Sequence, residues 1–216
     1  MKHATRRSLL LSSSLALIAG FVDAIGFIET GGLFVSFMSG NSTEAGVEML
    51  SGNRNVALLS AYLIVAFVAG VAIAGAIAGH VRDHRPCVLA GAALALAAVA
   101  VLEFAGAGSV WAYGLVSAVM GAINTLYLAE GRARIAITYA TGTLVSLGLA
   151  ISALLTGGSR VAWRRPLLLW GALAFGAIAG AAAHRMGTAL SLFVAAGILS
   201  ALAVALIASW PWRTAA

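Results

Sequence analysis

The sequence predicts an all-α integral membrane protein made of two inverted repeats of three transmembrane helices each. Of its 216 residues, 62% are hydrophobic and 9% are charged, whereas a soluble domain carries about 25% charged residues. Six apolar runs are long enough to cross a bilayer, and the two halves of the chain share motifs at a nearly constant offset. The composition excludes ordinary soluble enzymes and disordered tails. A single cysteine, Cys87, excludes a secreted domain held by disulfides.

Helix length identifies the runs that cross the membrane. A hydrocarbon core of ~30 Å requires ~20 helical residues, and six runs approach or meet that length: 8–28, 57–79, 87–105, 110–129, 166–183 and 189–209. Two further stretches, 31–50 and 135–155, are interrupted by glycine and polar residues. Arg6 and Arg7 precede the first run as they would in a secretory leader. Because that run continues into a motif that returns later in the chain, we expect no cleavage.

The distribution of arginine and lysine sets the number of crossings. If the two interrupted stretches return to the side from which they enter, eleven basic residues lie on one side and only Arg54 and Arg185 on the other. If both stretches cross, the division falls to eight against five. The excess of positive charge in cytoplasmic loops favours six crossings, with both termini in the cytoplasm. Eight crossings are the alternative.

Three motifs recur in order between the two halves. The matching segments are 101 or 102 positions apart: 20–24 and 121–125, 36–41 and 138–143, and the pentapeptide GAIAG at 75–79 and 176–180. The chain therefore divides into a first repeat, 1–108, and a second repeat, 109–216, within one compact membrane domain. Because each repeat holds an odd number of crossings, the second enters the membrane inverted. This architecture is typical of secondary transporters and of some channels.

Each interrupted stretch follows the first helix of its repeat and predicts a broken or re-entrant segment, a short strand followed by a half-helix. Residues 33–37 and 135–139 are β-branched and aromatic enough to run extended. Polar residues then provide an N-cap for the half-helix. They are Ser39, Gly40 and Asn41 in the first repeat, where the half-helix begins at about residue 42, and Thr141, Gly142 and Thr143 in the second. Two helix N-termini that face each other in the membrane would bind an anion or carboxylate. The alternative is that the glycines only allow close helix packing.

An aspartate interrupts the first apolar run. Asp23 matches Asn124 in the second repeat, and a carboxylate buried in a membrane is costly unless it is paired or lines water. Asp23 could carry a proton, bind a cation, or clamp the broken segment by accepting its N–H groups. With the capped segments it completes the predicted solute-binding set: Asp23, Phe37, Ser39, Gly40, Asn41, Asn124, Tyr139, Thr141, Gly142 and Thr143.

Motifs of other functional classes do not occur in the sequence. It holds no Walker loop, no GxSxG nucleophile elbow and no HExxH zinc motif, and its histidines lack metal-ligand spacing. We therefore expect no enzyme activity, no metal and no cofactor. The basic residues form short clusters between apolar runs, so the net charge of +6 indicates topology and not nucleic-acid binding.

The motifs resemble those of the YoaK-like bacterial transmembrane proteins, a family with no settled activity. The resemblance covers nearly the whole chain and rests on GFVDA at 20–24, GGLF at 31–34, SGN at 39–41, GAIN at 121–124 and TYATGT at 138–143. This chain has Ser39 where the family usually has a threonine-like residue, and Ile123 where glutamine is frequent. The resemblance implies a membrane fold and no particular substrate. The strand and half-helix pattern is also similar to the core of the uracil and sulfate transporter fold, by analogy only.

These observations predict a small secondary transporter or channel for a small polar, anionic solute in the bacterial cytoplasmic (inner) membrane. The solute would lie at the midplane between the two half-helix N-termini, with proton coupling through Asp23 as one option. The expected partners are the lipid bilayer and that solute, with no nucleic acid and with a homodimer as an option. The alternative is a membrane interaction or assembly protein with no transport path.

Overall fold

Helices dominate the part of the chain that the structure describes. The computed structural model describes residues 6–126, 128–129, 132–133 and 140–208. Within them lie eight α-helices: α1 (Arg6–Glu29), α2 (Met38–Ser51), α3 (Arg54–His80), α4 (Arg85–Phe104), α5 (Tyr113–Ile123), α6 (Ala140–Leu155), α7 (Arg164–His184) and α8 (Thr188–Ala208). A 3₁₀ turn, Val110–Ala112, precedes α5. Two short strands, β1 (Leu128–Ala129) and β2 (Arg132–Ala133), pair antiparallel.

Five helices are long and apolar enough to cross a membrane, namely α1, α3, α4, α7 and α8. They correspond to five of the six predicted crossing runs. Large apolar side chains on their outer faces, such as Val65, Phe175 and Val204, are well exposed. Because such surface is compatible with hydrocarbon and not with water, the chain is a multi-pass membrane protein in contact with the bilayer.

The sixth predicted run, 110–129, is helical only as far as Ile123, so its predicted end is wrong. Beyond this point the side chains of Asn124 and Thr125 donate to backbone carbonyls of the preceding turn, each at 2.8 Å. Such local bonds compete with continuation of the helix. With its 3₁₀ turn the helix spans 110–123, about 21 Å at 1.5 Å per residue. Most of its residues are buried, so α5 lies inside the bundle.

The first interrupted stretch differs from its prediction in two details. Residues 33–37 are irregular and do not form a strand. The helix α2 begins at Met38, so its first turn already contains the three residues that were predicted to cap it, Ser39, Gly40 and Asn41. The carbonyl of Phe37 accepts the amides of Gly40 and Asn41 at 3.0 and 3.4 Å. Phe37 therefore takes the N-cap position, without a side-chain cap.

The second interrupted stretch contains the corresponding short helix. The described part of α6 starts at Ala140. Thr141, Gly142 and Thr143 therefore lie within this helix and do not precede it. The predicted strand at 135–139 is outside the described residues.

The first helix packs on the second half of the chain. α1 makes its most extensive contacts with α7. The two helices run parallel, because the carbonyls of Leu17 and Phe21 lie in that order against Gly176 and Gly180. A Cβ at either glycine would collide with the facing carbonyl. The absence of a side chain thus allows the two backbones to touch, as in other close-packed membrane helices.

The equivalent pairing occurs between α3 and α5. The Ser117 hydroxyl donates to the Leu63 carbonyl at 2.8 Å, and further along both helices Gly121 lies against the Phe67 carbonyl. These contacts make α3 and α5 parallel. The first helix of each half therefore packs on a long helix of the other half, and α4 packs on α8 between them.

Contacts between helix ends fix the remaining directions. Glu29 at the end of α1 bonds to Thr188 at the start of α8. The Glu103 carboxylate at the end of α4 lies within electrostatic reach of Glu29. The short turn 81–84 reverses the chain between α3 and α4. It follows that α1, α4 and α7 run in one direction while α3, α5 and α8 run in the other.

The two identical pentapeptides do not take equivalent places. Gly176 and Gly180 pack on α1, whereas the space beside Gly75 and Gly79 is open. On α3 the close approach is made by Gly70, against the α5 backbone. Close packing through the pentapeptide glycines therefore occurs on α7, whereas Gly70 makes the close contact on α3.

Candidate functional site

The chain between α1 and α2 folds back along α1. Gly31 and Gly32 adopt φ values of +74° and +120°, which glycine reaches without strain. The amides of Val35 and Ser36 then donate to Oδ1 of Asp23 at 2.9 and 2.8 Å. Asp23 lies six residues before the end of α1, about 9 Å at 1.5 Å per residue. The segment has thus returned roughly 9 Å along α1 before α2 begins.

Asp23 fastens this segment to α1. Its carboxylate accepts the two amides and is also bonded by the Ser36 side chain. The Val35 side chain fills the space beside Gly26, where a Cβ would collide with it. These are the hydrogen bonds expected of the clamp role. The proton and cation roles of Asp23 stay predictions.

Asn41 holds the same segment from α2. Its Oδ1 accepts the amide of Phe34 at 2.9 Å, and its Nδ2 donates to the Phe34 carbonyl at 2.6 Å. Asn41 has no exposed surface. One side chain therefore satisfies both backbone groups of a residue that has no neighbouring strand, as buried backbone requires. Asp23 and Asn41, both predicted site residues, thus meet at one irregular segment.

Aromatic rings cover the start of α2. The ring of Phe34 packs on those of Phe27 and Phe37, with centroid distances of 4.9 and 5.4 Å. Gly40 lies against Phe34 and Phe37, which leave no room for a Cβ. Phe37 and Gly40 therefore belong to the same cluster as the two polar residues, whereas Ser39 is exposed.

Asn124 has a different setting from Asp23, its match in the first repeat. α5 has already ended at Ile123, and the buried Asn124 donates from Nδ2 to the Met120 carbonyl at 2.8 Å. Asp23 lies inside its helix and accepts amides of the segment that follows it, whereas Asn124 follows the last residue of α5.

The remaining predicted residues belong to α6 and the segment before it. Thr141 is exposed, Gly142 and Thr143 are half-buried in the first turn of α6, and Tyr139 is outside the described residues. α2 packs mainly on α3, and α6 on α7. The expected approach of Asn41 and Thr143 therefore stays a prediction.

A second polar cluster joins the two halves and was missed by the sequence analysis. Oε1 of Glu29 accepts from Nε2 of His184 at 2.7 Å and from the Thr188 hydroxyl at 2.5 Å. The Glu103 carboxylate lies nearby, beside the buried Tyr113. The sequence alone marks Glu29 as the end of a helix, because its partners lie 155 and 159 positions away. The sequence signal that could have found this cluster is the presence of polar residues at the ends of three apolar runs.

Comparison with known proteins identifies the family. A family described as "Protein of unknown function (DUF1275)" matches residues 11–205. The chain belongs to this family. The UPF0700 transmembrane protein RA0705 of Rhizobium meliloti (strain 1021) is 32% identical over 210 residues, 95% of this chain and 90% of the relative. The UPF0700 transmembrane protein YoaK of Bacillus subtilis (strain 168) is 33% identical over 154 residues, 68% of each chain.

These matches confirm the resemblance to YoaK-like proteins and place this DUF1275 chain among transmembrane proteins. No solved structure matches it. The family description names no activity.

Proposed function

We propose that this DUF1275 protein is a small secondary transporter or channel for a small polar, anionic solute. It acts in the bacterial cytoplasmic membrane, has both termini in the cytoplasm and catalyses no reaction. The solute binds near the bilayer midplane, between the N-terminal ends of α2 and α6. The observation that carries the proposal is the exchange of helices between the halves, in which α1 packs on α7 and α5 on α3.

The directions of the helices support an inverted repeat. α1 and α5, the first helices of the two halves, run in opposite directions, and so do α3 and α7. In transporters built on inverted repeats, the substrate site lies at the interface between the repeats, on helices that are interrupted there. The short helices α2 and α6 follow α1 and α5 and are the interrupted elements of this bundle.

The segment 30–37 supports the position of the site. It lies beside Asp23, inside the length of α1, and leads directly into the N-terminus of α2. A helix N-terminus carries a partial positive charge that attracts anions. An ionised Asp23 would repel an anion there, and a protonated Asp23 would not. That difference is the physical basis for proton coupling through Asp23.

Uptake into vesicles tests the proposal. Purified protein is reconstituted with a pH gradient and screened over small inorganic anions and organic acids. Wild-type protein should accumulate at least one of them, and Asp23→Asn should abolish this uptake while the protein stays folded. Asp83→Asn, which removes a carboxylate outside the membrane-spanning helices, is the matched control and should retain uptake. Normal transport by Asp23→Asn at both acidic and neutral pH would exclude proton coupling through this residue.

A second candidate function is a membrane interaction or assembly protein with no transport path, with a homodimer as its simplest form. The observation in its favour is that the oxygen and nitrogen of the Asn41 amide are both occupied by the Phe34 backbone. If no anion is taken up and the purified protein is a stable oligomer, this second function is the better one.

A further inference from the structure

A cleft opens between α3 and α4. These consecutive helices are joined by the short turn 81–84, yet each of them packs mainly on other helices, including α5. The gap between them has a volume of about 170 Å³, and its floor is formed by residues of α5 such as Leu115, Ala118 and Ala122. In the second half, α7 and α8 contact each other directly. The cleft is therefore a structural difference between the two halves.

The lining of the cleft selects for an apolar guest. Gly91 and Ala92 keep it open, and the one weakly polar side chain among the lining residues is the Cys87 thiol. A polar solute would lose its water here and find no hydrogen-bonding side chain in return. The cleft is therefore separate from the proposed solute site.

The cleft faces the bilayer. Ile73 on the α3 wall and Cys87 on the α4 wall are both exposed, and both helices are long enough to cross the membrane. The molecules available at this surface are lipids. An empty groove forfeits dispersion contacts on its walls, and an inserted acyl chain restores them.

The turn that joins α3 and α4 is basic. Cys87 lies close in sequence to the turn 81–84. At this turn Arg85 bonds to both carboxylate oxygens of Asp83 at 2.7 Å and so holds the pKa of Asp83 below its usual value. Arg82 is exposed and has no ion-pair partner within the described part of the chain. A basic side chain at the end of a groove between membrane helices suits the phosphate of an anionic lipid.

We propose that this cleft binds an anionic phospholipid, with one acyl chain between α3 and α4 and the phosphate at Arg82. The proposal is independent of transport, since it rests on a different surface from Asp23 and the segment 30–37. The lipid would fill a gap that has no counterpart in the second half, because α7 and α8 contact each other directly there.

Native mass spectrometry of the full-length protein tests this proposal. The protein is purified in a mild detergent and mixed with phosphatidylglycerol or phosphatidylcholine of identical acyl chains. Wild-type protein should retain phosphatidylglycerol about fivefold better, the difference expected from roughly 1 kcal/mol per basic side chain. Arg82→Gln should reduce phosphatidylglycerol retention to the level of phosphatidylcholine. Gly91→Leu fills the cleft and should reduce the retention of both lipids.

Gly197→Leu is the matched control, because Gly197 of α8 is also exposed with open space beside it and lies outside the cleft. It should retain lipid as the wild type does. If Gly91→Leu does not fold, Cys87→Phe fills the same cleft from its mouth. Unchanged phosphatidylglycerol retention in the cleft-filling variant, or in Arg82→Gln, would overturn the proposal. If the protein is a dimer, and Gly91→Leu dissociates it without changing lipid retention, the cleft binds a second copy of the chain and the proposal is overturned.

Discussion

At Asp23 a carboxylate supplies what a neighbouring strand would supply elsewhere, an acceptor for two consecutive backbone amides. The amides of Val35 and Ser36 belong to an irregular segment, and backbone groups that are buried in a membrane protein must find partners within the protein. An aspartate in a membrane helix is expensive when isolated. Here its hydrogen bonds to Val35 and Ser36 offset part of that cost and fix the position from which α2 begins.

Two substitutions at this residue should separate geometry from charge. Asp23→Ala leaves two amides without an acceptor and should lower the free energy of unfolding by about 2–6 kcal/mol, at about 1–3 kcal/mol per unsatisfied group. Asp23→Asn keeps an acceptor oxygen in place and should lose much less. Thermal unfolding in detergent measures both. Equal losses for the two variants would show that the charge of Asp23, and not its bonds to Val35 and Ser36, holds the segment.

The stability of the α3–α4 turn should depend on pH. The hydrogen bonds from Arg85 lower the pKa of Asp83 from 3.8 in the folded protein. The pair therefore stabilises the fold above pH 3.8, and this contribution is lost as the pH falls below that value. Asp83→Asn should lower the thermal midpoint at neutral pH by an amount equivalent to no more than about 1 kcal/mol, since the pair is partly exposed. This deficit should shrink in acid, and a deficit that stays constant with pH would contradict the ion pair.

At the scale of the helices, the two GAIAG pentapeptides offer an internal comparison of identical sequence. Gly176→Val would push a side chain into the Leu17 carbonyl, whereas Gly75→Val points into open space. We expect Gly176→Val to destabilise the protein by about 1–3 kcal/mol or more, as overpacking does, and Gly75→Val to change it little. Thermal midpoints of the two variants decide the matter. Similar losses of thermal stability in the two variants would mean that the glycines pack in the same way on α3 and on α7.

The helices also show where sequence reasoning succeeds. Five long apolar runs were found because length and hydropathy are local properties of the chain. The end of α5 was placed too late, because Asn124 and Thr125 interrupt the helix by side-chain bonds that an apolar count ignores. The start of α2 was also missed, because Asn41 bonds to Phe34 and is not available as a cap. The role of Glu29 was missed because its partners come from α7 and α8. Contacts between residues far apart in the sequence could not be predicted, because no local pattern contains them.

The directions of the helices predict that two chain positions lie on opposite sides of the membrane. Leu50 lies near the end of α2, where α3 begins, and Leu155 ends α6, near the start of α7. Because α3 and α7 run in opposite directions, reporters fused after Leu50 and after Leu155 should report opposite sides of the membrane. Alkaline phosphatase and fluorescent protein fusions measure this. If both sites report the same side, the inverted arrangement is wrong.

The exchange of partners between the halves also governs how the protein is made. α1 is synthesised first, but the surface that its Leu17 and Phe21 carbonyls require belongs to α7, which ends at His184. At ribosomal speeds of about 5–20 residues per second, α1 waits on the order of 10–30 s for that partner. During this interval its glycine-containing face must rest against lipid or an insertion factor. A chain that is released early, after the first half, would therefore enter the membrane and remain there as a set of helices without their partners.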